Sequence, residues 1–232
     1  MRLIALLLSA TFALPAAALT FTTEEFPPFN FSPDGGKTVS GSATDILRDA
    51  LKRTGLQASI SLMPWERAYK MGLEDKDTCV YSTTRTEARE ALFKWVGPLV
   101  DNNWIIFAKA NSTLTGKSLD DVKQYKIGGY RGDAAALFLK EKNMKVEEAD
   151  NDDQNVRKLE AGRIDLWIAG SLAGPWIAKK AGVQVKPLFT VKETQMYLAC
   201  NKGLSDDVAK KLNDAIKAIR SDGTADKIYK SY

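Results

Sequence analysis

The residues able to do chemistry are few, and their types narrow the field before any element is placed. The 232-residue chain contains no histidine, which removes Ser-His-Asp and Cys-His nucleophile systems, His-ligated zinc and the commonest general base near neutral pH. Cys79 and Cys200 are its only cysteines, so no CxxC metal or redox motif exists. Arg89 follows Thr86 by three positions, and Thr86 reads as the N-cap of a helical turn. A carboxylate placed there would meet free backbone N–H groups and a guanidinium able to make two parallel hydrogen bonds. The ordinary reading of Arg89, a surface side chain paired with Glu87 or Glu90, stands beside it. Ser82 and Thr84 alternate on the strand end leading to that turn, where a hydroxyl either caps the strand or meets a ligand. Glu24, Glu25 and Asp133 lie at strand ends, as solvated charges or, if buried, as acids with a raised pKa. Tyr130-Arg131-Gly132-Asp133 ends a strand at a helix N-terminus, a place suited to a ligand. The Arg131-Gly132-Asp133 tripeptide is too short to signify as an adhesion motif. Asp150-Asn151-Asp152-Asp153 lacks the glycine and terminal glutamate of a calcium loop and reads as a helix start. No metal and no cofactor are expected.

Positioning these groups requires strands and helices, and the pattern supplies both. Leu19 to Thr23 reads as a strand entering the turn Glu24-Glu25-Phe26-Pro27-Pro28-Phe29. Asp45 to Thr54 has helical spacing, ends at Gly55 and leads into the alternating strand Ala58 to Leu62, a βαβ unit with parallel strands. A helix from Pro64 to about Leu73 precedes a strand at Thr78 to Ser82, and another strand starts at Trp104. The grammar then restarts: strand Lys126 to Tyr130, a helix opened by Gly132-Asp133, a helix from Asp153 to Ala161, strand Arg163 to Ile168, strand Met196 to Cys200. The last helix puts Val208, Leu212, Ile216 and Ile219 on one face and stops at Gly223. The composition, 44% hydrophobic and 27% charged, suits two α/β lobes that each bury a core.

The first residues read as an address. Arg2, the apolar run Leu3 to Leu14 and the small residues Pro15-Ala16-Ala17-Ala18 form a secretory signal expected to be cut after Ala18. The run falls short of the roughly 20 residues of a spanning helix, and no cysteine follows it to carry a lipid. The 33 basic residues less Arg2 leave 32 against 29 acidic ones, spread without a block, so nucleic acid is a poor partner.

Six segments in this order resemble the family 3 bacterial extracellular solute-binding proteins. They are Phe26 to Phe29, Gly41 to Asp45, Ser82 to Arg89, Phe93 to Pro98, Leu159-x-x-Gly162-Arg163-x-Asp165, and Ser221 to Tyr229. The resemblance covers the mature chain and implies an α/β type II periplasmic binding fold. Each lobe is then a mostly parallel sheet flanked by helices, and two crossover strands near Leu99 to Asn103 and Thr194 to Tyr197 join them. Lobe 1 would be residues 19–100 and 196–232, and lobe 2 residues 101–195. On that mapping Arg89 binds a ligand carboxylate, Ser82 and Thr84 hydrogen-bond the ligand, and Phe26 and Trp65 pack on it. Tyr130 and Arg131 face the cleft, whereas Phe29, Phe93, Trp95 and Trp167 pack the core.

Two departures from the family pattern bear on the ligand. Gly132-Asp133-Ala134 lacks the usual hydroxyl, and Gly170 stands five residues after Asp165 where an acidic partner for the ligand's ammonium is expected. Glu24, Glu25 or Asp133 would have to replace it, or the ligand is an organic acid without an ammonium. In the implied fold the returning strand runs beside the one holding Cys79, so Cys79 and Cys200 are expected to form a disulfide in an oxidising compartment, two buried thiols being the alternative. The implied function is capture of a small carboxylate-bearing solute, an amino acid or related organic acid, by a monomeric periplasmic protein for ABC-type uptake or sensing. An enzyme on the same scaffold, similar to the cyclohexadienyl dehydratases with a cleft carboxyl as general acid, is the alternative.

Overall fold

Left-handed glycines and apolar stripes divide this chain into short alternating elements. Gly55 at φ 69° stops α1 (Ser42–Thr54), whose Ile46, Leu47 and Ala50 face inward, and Gly223 at φ 79° follows α7 (Asp206–Ser221), which buries Leu212, Ala215, Ile216 and Ile219. A computed structural model describes residues 18–232, and residues 1–17 of the expected leader lie outside them. The remaining elements are β1 (Leu19–Thr23), β2 (Ala58–Leu62), α2 (Trp65–Glu74), β3 (Thr78–Thr84), α3 (Glu87–Glu90), β4 (Lys94–Asp101) and β5 (Trp104–Lys109). After a 3-10 turn at Asp120–Val122 come β6 (Ile127–Tyr130), α4 (Ala134–Glu141), β7 (Val146–Ala149), α5 (Asp152–Glu160), β8 (Leu166–Gly170), α6 (Ala173–Lys180), β9 (Val185–Lys192), β10 (Gln195–Cys200) and α8 (Thr224–Tyr229). Among the described residues no helix is long and apolar enough to cross a membrane.

The strands form two five-stranded sheets, ordered β2-β1-β3-β10-β4 and β7-β6-β8-β5-β9. In each, three strands run parallel and the other two pairings are antiparallel. The parallel halves come from βαβ crossovers. The antiparallel halves come from the chain passing between sheets, at Asn102 and Asn103 after β4 and at Glu193 and Thr194 before β10. The crossovers are tied to each other, since the Asn102 N–H donates to the Thr194 carbonyl at 2.9 Å and the Thr194 N–H to Asn103 Oδ1 at 3.1 Å.

The first sheet's core is Phe21, Phe29, Ile46, Leu47, Leu99 and Leu212, and the second sheet's includes Trp104, Ile106, Ile127 and Leu139 on one side with Phe107 and Trp167 on the other. Each fully buried side chain of this kind is worth about 1.5–3 kcal/mol relative to exposure. Phe29, Phe93 and Trp167 are core residues as expected, while Trp95 is half-buried and donates its indole N–H to the Glu90 carbonyl at 3.1 Å. Cys79 and Cys200 face each other in register across β3 and β10 and form a disulfide.

Several element boundaries differ from the sequence reading. The strand expected at Arg163 is a turn up to Asp165, because Gly162 is left-handed at φ 68° and the Asp165 carboxylate accepts the Lys126 N–H at 2.8 Å; β8 starts only at Leu166. The strands β7 and β9 and helix α6 went unread in the sequence.

Candidate functional site

In parallel sheets a crevice forms beyond the carboxyl ends of the strands, and here both sheets turn those ends toward each other. From the first come Glu24 after β1, Ser82 and Thr84 at the end of β3, and Arg89 on α3. From the second come Tyr130 at the end of β6, Gly132, Asp133 as N-cap of α4, and Gly170 at the end of β8.

The end of β3 is built irregularly. Thr83 pairs with Tyr197 and Val80 with Ala199, so Tyr81 and Ser82 together oppose Leu198 in a β-bulge. Ser82 takes φ 58°, a left-handed backbone that costs a non-glycine residue of order 1–3 kcal/mol and recurs at ligand sites. Its hydroxyl is buried without a hydrogen-bond partner. The bulge re-aims Thr83 and Thr84 and starts the turn into α3.

Arg89 is only 8% exposed. Its guanidinium lies 5.4 Å above the Trp65 ring and 5.2 Å above the Tyr69 ring, contacts that favour a cation stripped of water. Its two hydrogen bonds, to the Thr84 and Gly132 carbonyls, are both long at 3.4 Å. Most of its five donors are thus uncommitted, the state of a fork waiting for a carboxylate. The surface pairing with Glu87 or Glu90 does not occur: Glu90 is taken by Arg85. Thr86 is the N-cap of α3 but makes no side-chain capping bond.

Glu24 follows β1 on the same lobe as Arg89. The Tyr130 hydroxyl donates to its carboxylate at 2.7 Å, joining the two lobes across the cleft. Burial, augmented by the nearby Asp133 and Asp152, raises the Glu24 pKa from 4.5 to about 8 against the pull of Tyr130 and Arg89. The Tyr130 hydroxyl is raised by burial and then by Glu24. Among the described residues Glu24 makes no salt bridge.

The other proposed acids are accounted for otherwise. Glu25 is exposed and its carboxylate accepts the Ser32 N–H at 3.1 Å. Asp133 caps α4, accepting the Ala135 N–H at 2.8 Å, and burial raises its pKa. Arg131 is exposed and pairs with Asp150 at 3.3 Å, so it does not join the cleft groups. Gly170 adds no chemistry of its own: a Cβ there would overlap the Asn102 carboxamide, with Asn102 Cγ at 3.0 Å and Nδ2 at 3.2 Å.

Three residues were not singled out from the sequence as site candidates. Tyr69, one helical turn after Trp65, was legible from that spacing. Asp152 opens α5 as expected, yet its carboxylate accepts from the Trp167 indole at 2.8 Å and from Asn155 Nδ2 at 3.0 Å, and burial lifts its pKa to about 6. Asn102 left no local signal.

Two cavities flank Trp65. One, of about 590 Å³, contains Arg89, Tyr69, Gly132, Trp104 and Phe138. The other, of about 520 Å³, contains Glu24, Phe26, Tyr130 and Asp152. Ser82 and Thr84 are buried and line neither cavity. Among the described residues no cluster of three or more Cys, Asp or Glu is arranged to hold a metal ion.

Two α/β lobes joined by paired crossovers, with an underused buried guanidinium and a buried, unbridged carboxyl both set on the first lobe's wall of the cleft, define a small-solute-binding protein. The comparisons agree. The family described as bacterial extracellular solute-binding proteins, family 3, matches residues 19–232, and the chain belongs to it. The L-cystine-binding protein TcyJ of Escherichia coli is 27% identical over 86% of this chain and 76% of its own length. A probable histidine-binding protein of Neisseria gonorrhoeae is 25% identical over 90% of this chain and 80% of its own. Among solved structures, an ancestral arginine-binding protein bound to glutamine superposes with a TM-score of 0.78 at 26% identity, covering 94% of this chain and 98% of that one. A histidine kinase sensor domain with similarity to periplasmic binding proteins reaches a TM-score of 0.84 over 93% of this chain and 96% of that one; at 17% identity it shows the shared fold alone. The fold is the two-lobed type II binding-protein fold, and the relatives named for cystine and histidine are solute-binding proteins rather than enzymes.

Proposed function

We propose that this protein is a monomeric periplasmic receptor, with lobes of residues 19–100 plus 196–232 and 101–195, that closes on an amino acid bearing a cationic or hydrogen-bond-donating side chain and presents it to an ABC permease. One observation carries the reading: Glu24 is a buried cleft carboxyl held by Tyr130 from the opposite lobe, and among the described residues no cation forms a salt bridge with it. A buried carboxylate needs a charge partner, and a ligand nitrogen is the partner that arrives on closure. Arg89, stacked between Trp65 and Tyr69, takes the ligand carboxylate, with Ser82 and Thr84 beneath it and Phe26 and Trp65 against the ligand's body. The relatives named for arginine, histidine and cystine support a ligand of this kind. Glu25, Asp133 and Arg131, already engaged, are left out of the grip.

The dehydratase-like alternative draws on the same Glu24, since a carboxyl protonated at neutral pH is a competent general acid. The two separate cleanly. Purified protein is titrated by calorimetry with L-arginine, L-histidine, L-glutamine and L-cystine and with their deaminated counterparts, and the bound compound is recovered and weighed by mass spectrometry. Tight binding of an amino acid recovered unchanged supports the receptor. Recovery of a converted compound, or binding of the deaminated acids alone, overturns it.

A further inference from the structure

Asn102 is 4% exposed, and its carboxamide oxygen has no hydrogen-bond partner. A buried, unpaired amide carbonyl costs on the order of 1–3 kcal/mol, and such an atom in a binding protein asks what completes it. Its Nδ2 is turned to the Met196 sulfur at 3.6 Å. Its backbone is fixed by both crossovers, through the Asn102 N–H to the Thr194 carbonyl and the Thr194 hydroxyl to the Asn102 carbonyl. The side chain therefore has one place to be: the volume that a side chain at Gly170, the carboxyl end of β8, would need.

Strand register connects that volume to the guanidinium. Met196 pairs with Thr84 across β10 and β3, and Thr84 is the residue whose carbonyl Arg89 touches. Contacts thus run from Asn102 to Met196, to its strand partner Thr84 and on to Arg89, a path through buried residues. Glu24 is elsewhere. It follows β1, and β3 lies between β1 and β10 in the sheet, so Glu24's strand stands two strand spacings, about 10 Å, from the strand that Asn102 packs on.

We infer that Asn102 is a specificity-determining residue whose Oδ1 accepts a hydrogen bond from the α-nitrogen of the bound amino acid. The inference rests on the amino-acid reading above and deepens it. With the carboxylate on Arg89, the α-nitrogen two bonds away is the donor within reach of the Asn102 end of the path, and the side chain runs toward Glu24. The α-nitrogen is then read by a neutral acceptor, and the site's cleft carboxylate is spent on the far end of the ligand. Gly170 is glycine because Asn102 already fills its side-chain space; its backbone is of a kind any residue adopts.

The test is a position swap. Calorimetry compares wild type, Asn102→Ala, Asn102→Asp, Gly170→Asp and the double variant Asn102→Ala/Gly170→Asp, each with L-arginine, L-histidine, L-glutamine and their deaminated counterparts. Asn102→Ala is expected to weaken the tightest amino acid about tenfold to hundredfold, the loss of one buried hydrogen bond, while changing the deaminated acid less than about threefold, on the same principle. The double variant is expected to recover most of that loss, because the carboxylate enters the vacated volume, and Gly170→Asp alone is expected to lose binding by clashing with Asn102. Equal losses for amino and deaminated ligands, no loss at all, or no recovery in the double variant would overturn the inference. Should Asn102→Ala not fold, Asn102→Asp decides: it must hold or improve the amino acid and weaken the deaminated acid, and the reverse order overturns the assignment. Arg89→Ala separates the levels. If it loses binding and Asn102→Ala does not, this inference alone falls; if wild type binds none of the amino acids, the reading beneath falls with it.

Discussion

The two lobes have the same strand plan and opposite jobs. Each sheet places a three-strand parallel unit beside two antiparallel strands, yet the cleft-facing end of the first carries Glu24, the strained Ser82 and the buried Arg89, whereas that of the second offers Tyr130, Gly132 and Gly170. The guanidinium and the strained serine sit on one wall with Glu24, and the facing wall adds the Tyr130 hydroxyl, two glycines and the helix-start acids Asp133 and Asp152. A ligand can be gripped by the first lobe before closure, and the second then supplies the Tyr130 hydroxyl and the Gly132 carbonyl. The disulfide reinforces the contrast, since it bolts β3 to β10 within the gripping sheet.

The largest expected effect tests that reinforcement. Replacing Cys79 and Cys200 with alanine should cost about 2–5 kcal/mol in the first lobe, read as a lower denaturant midpoint for its tryptophan signal. A shift that falls equally on both lobes, or none, would remove the asymmetry. Next is Arg89→Ala, expected to weaken ligand by about 3 kcal/mol, some hundredfold, with secondary structure unchanged by circular dichroism. Binding within threefold of wild type would move the carboxylate grip elsewhere.

Glu24 gives a smaller effect with a definite sign. Burial in the closed cleft raises its pKa from the ordinary 4.5 to about 8, and opening the cleft to water is expected to return it toward the ordinary value. Closing without ligand therefore takes up a proton between those values. The empty protein should close most readily at the acid end of that window and progressively less toward pH 8, where the ionised carboxyl is buried beside Asp133, Asp152 and Tyr130 with only Arg89 to offset it. Small-angle scattering across pH reads the fraction closed. Glu24→Gln should flatten the dependence, and a slope that survives this change assigns it to Asp152 instead. Smallest of all, Arg131→Ala should alter affinity less than twofold, because an exposed pair such as Arg131–Asp150 contributes little; a large loss would return Arg131 to the cleft.

How much of this was legible in the sequence follows from the range of the interactions. The βαβ opening, the caps and the stripe on α7 are local, and they were read directly. The edge strand β9 was hidden by Pro187 and α6 by Gly174-Pro175, residues that read as breakers but are tolerated at an edge and in a first helical turn. The fates of Glu25, Asp133 and Arg131 depended on which neighbour claimed each first. Asp152 became a buried acid only when Trp167 from β8 packed on it. Asn102 was beyond reach, because its meaning exists only where a glycine sixty-eight positions on (102 to 170) leaves it room.

The position of β10 has a consequence in time. It is inserted between β3 and β4, yet it follows every strand of the second sheet in the chain. As the polypeptide emerges, the second sheet can be completed while β3 and β4 still lack the strand between them. Until β10 arrives both present bare edges, the feature that invites mispairing with other chains. The gripping lobe is thus the last to exist, and the partner of Cys79 arrives with the strand that finishes it.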